Sequence, residues 1–191
     1  MFNVTLFLIL SLISFFLSTS LHTGGYNYKK QVVSHIGRFR VHGEKNNASL
    51  VFFFLFSLFY GLFGTNIGHY FINFKANNGG FDHLKYVGIF LYIGSIFGIL
   101  MSVIPLDIHR WKHLLAAFIT FINMLLANIY MLIHSITDQK GRVAVSILSS
   151  SQILFSALYI YGYITRTIPA IFQKLAMLTA TFSIYVGFLT L

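Results

Sequence analysis

The chain is predicted to be all-α, a polytopic membrane bundle of six transmembrane helices, and three observations carry that expectation. Hydrophobic residues make up 57% of the 191 positions and charged residues only 9%, against about 25% charged in ordinary soluble proteins. The mean hydropathy is +0.77, which leaves too little polar surface to cover a water-soluble core. Six apolar runs, at residues 2–21, 48–69, 86–104, 113–134, 143–164 and 168–191, each approach the ~20 residues needed to span a hydrocarbon layer as a helix. Barrel strands would instead alternate over about ten residues each.

Each run is bounded by polar or charged residues. The first has no Lys or Arg ahead of its apolar stretch, so it reads as a retained helix rather than a signal peptide, although Ser18-Thr19-Ser20 offers small residues for cleavage. The second opens after Asn46-Asn47 and carries Gly64 and Gly68; the third carries Gly94 and Gly98. This small-x-x-x-small spacing lets helix backbones approach closely, and the same four glycines are the expected contact for a membrane-protein partner or a second copy. Pro105 ends the third run, because it lacks a backbone donor and restricts its predecessor. The fifth carries Ser146, Ser149, Ser150, Ser151 and Gln152, a polar face toward which Asn123 and Asn128 of the fourth run are expected to point. The connections are mostly too short for another domain, so residues 1–191 are read as one.

The formal charge of +9 would indicate nucleic acid in a soluble protein. Here the basic residues cluster at the ends of apolar runs, so lipid is the expected partner and nucleic acid is not. The first, third and fifth connections share Lys29, Lys30, Arg38, Arg40, Lys45, Arg110, Lys112, Arg166 and Lys174, against Lys75, Lys85, Lys140 and Arg142 opposite. Positive residues favour the cytoplasm, which puts the first connection inside and both termini outside. The expected location is a multi-pass protein of the cell membrane.

The chain has no Cys, hence no disulfide, thiolate ligand or thiol nucleophile. It has no P-loop, GxGxxG or HExxH motif and no acidic pair inside a run, which excludes a nucleotide-driven pump as a single-chain function. The densest chemistry is Pro105-Leu106-Asp107-Ile108-His109-Arg110-Trp111-Lys112-His113. Its structural reading is that Asp107 caps the fourth helix and Trp111 with its basic neighbours anchors at the interface. Its catalytic reading places His109 and His113, four apart, on one helical face where two imidazoles can share a metal ion, with Asp107 as a third ligand. Ser34, His35 and His42 lie on the same side. Arg110 and Lys112 between the two histidines oppose a bound cation.

Ser34-His35-Ile36-Gly37, Asn46-Asn47 opening the second helix, Ile104-Pro105-Leu106-Asp107 and His113 together resemble the six-helix membrane proteins of domain-of-unknown-function family 998, over roughly residue 33 to the end. That family is similar to the superfamily of the damage-regulated autophagy modulator and the GPI-lipid remodelling factors. The resemblance implies family positions at Ser34, Gly37, Asn47, Pro105, Asp107 and His113, and lipid as a common partner. It also implies a cytoplasmic N-terminus, opposite to the charge count.

The leading expectation is therefore a membrane protein without catalysis or cofactor of its own, which binds or organises lipid through Lys29, Lys30, Arg38, Arg40, Arg110 and Lys112. A zinc-dependent lipid amide or ester hydrolase using Asp107, His109 and His113, with Ser34 polarising the substrate, is the alternative. An accessory subunit docking a larger partner through its glycine faces is the third.

Overall fold

A computed structural model describes residues 2–74, 83–137, 143–165, 167 and 170–190. Six helices form, α1 (Phe2–Ser20), α2 (Asn47–Asn73), α3 (His83–Val103), α4 (Arg110–Thr137), α5 (Val143–Thr165) and α6 (Ile171–Thr190). All six are long and apolar enough to cross a membrane. The chain is a multi-pass integral membrane protein built as an all-α bundle. Several helices outrun the apolar stretches that announce them. Thus α2 continues to Asn73 and α4 starts at Arg110 rather than residue 113, because backbone hydrogen bonding carries a helix into the polar interface where hydropathy has already fallen. Lys75, Lys140, Arg142 and Arg166 of the charge count lie outside the described residues.

Neighbours in sequence pack as neighbours in space from α1 through α4, α5 pairs with α6, and α6 returns against α4 and α2. The deepest cluster joins Phe63, Ile67 and Phe71 of α2, Leu84, Val87 and Leu91 of α3, Ala127 and Met131 of α4, Val145 of α5 and Ile184 of α6. The α2–α3 crossing depends on glycine. A Cβ on Gly68 would stand 2.9 Å from the Gly88 carbonyl oxygen, and one on Gly88 2.6 Å from that of Gly68. Gly64 lies against Ser95 of α3, while Gly94 and Gly98 face Asn123 and Thr120 of α4. The four glycines thus pack helices within the chain, the close approach that their spacing suggests.

The polar face of α5 is shared differently from the expectation. Asn123 and Asn128 each donate to their own helix, to the carbonyls of Ile119 at 2.8 Å and Met124 at 3.0 Å. A side-chain amide in an apolar layer takes the nearest acceptor, and on a helix that is the carbonyl four residues back. The cross-helix bonds are made by hydroxyls, Ser135 to Ser146 at 2.8 Å and Ser149 to Ser183 at 2.5 Å. Gln152 donates to Ser156 on the next turn at 3.0 Å.

The crossing geometry separates two glycines that sequence alone treats alike. Gly68→Ala drives a methyl into backbone, and we expect it to lower stability by about 1–3 kcal/mol. Gly98→Ala meets only the Thr120 side chain at 3.6 Å and should be neutral or gain up to about 1 kcal/mol of helix propensity. Thermal unfolding of the two variants in mild detergent checks this; equal midpoints would contradict it.

Candidate functional site

The connection between α1 and α2 is an ordered cap over one end of the bundle. It contains a 3-10 turn at Val33–His35 and a hairpin of β1 (Arg40–Val41) and β2 (Glu44–Lys45). His42 and Gly43 both take positive φ, 52° and 86°, at the hairpin tip, as a two-residue hairpin turn requires. Val33 and Ile36 form one buried cluster with Phe53 and Phe56 of α2, and Phe15, Met101 and Met177 pack against it. Burying this loop obliges its backbone polar groups to find partners, and residues far away in sequence supply them.

Asp107 is the first. Its Oδ1 and Oδ2 accept the Phe39 and Arg40 amides, both at 2.8 Å. The carboxylate expected to cap α4 instead grips the cap loop, because two converging amides use both oxygens at once. Beside it the Leu106 amide donates to the Gly37 carbonyl at 3.1 Å. Gly37 is required by proximity, since a Cβ there would lie 2.8 Å from the Phe53 ring and 3.4 Å from His113 Cε1. The Ser34 carbonyl accepts the Gly37 amide at 3.1 Å, and the Ser34 residue is buried.

His113 is fully buried, and its Nδ1 donates to the Ile104 carbonyl at 2.6 Å. That satisfies one of the carbonyls a helix leaves open at its C-terminus. The bond assigns the Nδ1–H tautomer and leaves Nε2 as an acceptor that is buried and has no partner. His109 is exposed just ahead of α4, with its carbonyl accepting the His113 amide at 3.0 Å. Asp107, His109 and His113 are thus turned to three different surroundings. Among the described residues no three His, Cys, Asp or Glu gather as metal ligands would. Ser34, Gly37, Asp107 and His113 come together as parts of one clamp.

Asn46 and Lys174 are the residues sequence reasoning missed. Asn47 is exposed at the first turn of α2, whereas Asn46 is buried. The Asn46 Oδ1 accepts the Thr23 amide at 3.0 Å, and Nδ2 donates to the carbonyls of Arg38 at 3.0 Å and Ile36 at 3.3 Å. Lys174, on the first turn of α6, extends Nζ to the Gln31 carbonyl at 2.6 Å and the Tyr28 carbonyl at 2.8 Å. It also stands 5.2 Å from the centre of the Tyr26 ring. Gln173 beside it accepts the Val33 amide at 2.9 Å. Only an amide in an Asn-Asn pair and a lone cation inside an apolar run marked these two in the sequence.

Around the clamp stand the six basic residues expected to meet headgroups. Lys29, Lys30, Arg40, Arg110 and Lys112 are exposed, and Arg38 is half-buried. Trp111, 83% exposed, and Ile108, 55% exposed, project among them. Among the described residues only Glu44 and Asp107 are acidic, and Asp107 is occupied by backbone amides. His35 is half-buried, and burial together with the nearby Arg38, His22 and Lys174 charges pushes its imidazole from 6.5 down to about 4. Burial also raises the Tyr26 phenol, with Tyr28 adding to it.

Two outcomes follow from this geometry. Asp107→Ala leaves the Phe39 and Arg40 amides without acceptors, so their hydrogen exchange should speed up about tenfold while the core of α2 keeps its protection. The His35 shift makes cap closure pH-dependent. The open imidazole titrates near 6.5 and the closed one near 4, so the open state binds more protons between those values. Closure is therefore complete in stability above about pH 6.5 and weakens as pH falls toward 4. Exchange of the Gly37 and Leu106 amides at pH 7.5 and 5, corrected for intrinsic rates, should show the loss, and His35→Gln should remove it. Greater protection at pH 5 would refute the assignment.

Compared with protein-family models, with curated proteins and with solved structures, the chain matches none. Its function has to be read from its own residues.

Proposed function

We propose that this integral membrane protein binds anionic lipid headgroups at the end closed by the α1–α2 cap, with no catalysis of its own. The observation that carries this is the set of six basic side chains, Lys29, Lys30, Arg38, Arg40, Arg110 and Lys112, around an ordered cap. Among the described residues no carboxylate pairs with any of them. A rim of unpaired cations at a membrane boundary attracts anionic lipid by about 1 kcal/mol per residue. The exposed Trp111 ring supplies the amphipathic anchor found at headgroup level. The lipid-linked group that the motif residues resemble supports the same partner.

The test is native mass spectrometry of the full chain from nanodiscs holding equal phosphatidylglycerol and phosphatidylcholine. Retained phosphatidylglycerol should dominate, weaken with added salt, and fall about tenfold or more in Arg40→Ala with Lys112→Ala. No preference between the two lipids would overturn the proposal, as would stoichiometric zinc that is lost in His113→Ala, which would restore the hydrolase reading.

A further inference from the structure

Between α2, α3, α4 and α6 lies a cavity of about 40 Å³. Three of the chain's five methionines line it, Met101 of α3, Met124 of α4 and Met177 of α6, together with Phe56, Ser57 and Tyr60 of α2. The helix contacts fix how these side chains meet. Gly98 faces Thr120 across the α3–α4 contact, and the two helices are antiparallel, so Met101 stands about two turns nearer the cap than Met124. Met131 packs on Gly187 where α4 and α6 run parallel, which puts Met177 level with Phe121, between the other two. A helical side chain leans toward the N-terminus of its own helix. The α3 helix runs toward the cap, whereas α4 and α6 start beside it. Met101 therefore leans away from the cap and the other two lean toward it, so all three thioethers converge on one gap.

The size and chemistry of the gap restrict what it can hold. It has room for one ion or one water, against the roughly 300 Å³ or more of a pocket for an organic ligand. Its wall is almost wholly apolar, with the buried Ser57 hydroxyl, which has no partner, as a polar group on it. Water needs two to four polar partners to stay in such a place. Hard cations such as Ca²⁺ and Mg²⁺ need a shell of oxygens. Thioethers are soft ligands and select Cu(I). That ion brings a single charge into the apolar layer, and the Phe56 and Tyr60 rings on the same wall offer π faces to a cation. A lone methionine in an irregular gap is a filler; three, from three helices, are a ligand set, in a chain that has no Cys to offer instead. The unbranched side chain, with three rotatable bonds, lets each sulfur move onto an ion without moving its helix.

We propose that Met101, Met124 and Met177 form a binding site for one Cu(I) ion inside the bundle. The site stands apart from the headgroup reading above and does not rest on it. Met101 and Met177 also pack against the buried turn of the cap, so an ion drawing their sulfurs together sits directly beneath it. A thioether has no proton to lose, so binding here is independent of pH, unlike binding to imidazoles, which must first be deprotonated.

Ag(I) is the first probe, because it shares the soft chemistry of Cu(I) and is stable in air. The full chain in mild detergent and chloride-free buffer is titrated with silver nitrate at pH 7.5 and 5.5, and bound metal is counted after desalting. Cu(I) held by ascorbate under nitrogen, against a competing chelator, repeats the measurement. The variants are Met101→Leu, Met124→Leu, Met177→Leu, all three together, and Met131→Leu, which alters a methionine outside the cavity. Met→Leu conserves volume, and size exclusion with melting confirms that each variant is folded. We expect one ion per wild-type chain at both pH values, binding weakened by about tenfold or more in each single cavity variant, none in the triple variant, and no change in Met131→Leu. X-ray absorption of the wild-type complex, which needs no variant, should show a sulfur shell. No stoichiometric binding by the wild type overturns the site, as does binding that the triple variant keeps, a shell of nitrogen or oxygen, or loss at pH 5.5, which would assign the ion to imidazoles. The triple variant should keep the wild-type preference for phosphatidylglycerol, so failure of the metal site leaves the headgroup reading standing, and the reverse holds as well.

Discussion

A polar backbone group cannot be left bare where a chain leaves lipid, and that constraint organises one whole end of this protein. The α1–α2 connection folds down onto the bundle, with Ile36 fully buried, instead of standing out in water. Its amides and carbonyls then need partners. Asp107 takes two amides, Asn46 takes one and covers two carbonyls, and Lys174 covers two more. Each comes from a different place in the chain. The cap is therefore a tertiary device that ties the starts of α2 and α6 to the turn between α3 and α4.

The same economy governs the helices. Close α2–α3 approach at Gly68 and Gly88 provides van der Waals contact that the hydrophobic effect does not supply between helices in lipid. Hydroxyl pairs then bridge α4, α5 and α6. A cavity of about 40 Å³ remains between α2, α3, α4 and α6, lined by Ser57, Met101, Met124 and Met177 among others. It has room for water, and the Ser57 hydroxyl there has no protein partner. The bundle is thus closed by small residues at its centre and by the cap at its end.

Charge is distributed by a different logic. Asp107, one of only four acidic residues in the chain, is used for backbone amides, and among the described residues the cations near it pair with no carboxylate. A protein that neutralised its own basic end would have no electrostatic reason to meet an anionic surface. The unpaired rim is the feature on which the proposed contact with anionic lipid rests.

Six helices, their order and their approximate limits were legible in the sequence, because spanning hydrocarbon demands about twenty apolar residues at a time and nothing else in a chain looks like that. The importance of the Pro105–His113 segment was legible for a similar reason, as a dense polar stretch between two apolar runs. What those residues touch was not. Asp107 reads as a helix cap from its place before α4, and only the folded loop shows that its oxygens meet Phe39 and Arg40, 68 and 67 residues away. His109 and His113 share a spacing suited to one metal ion, yet one is exposed and the other is buried. The positions of Asn46 and Lys174 depend on where the cap lies across the bundle. Hydropathy acts locally and can be read along the chain; hydrogen-bond partners and uncompensated charges are set by which segments the fold brings together, and the tertiary structure alone decides them.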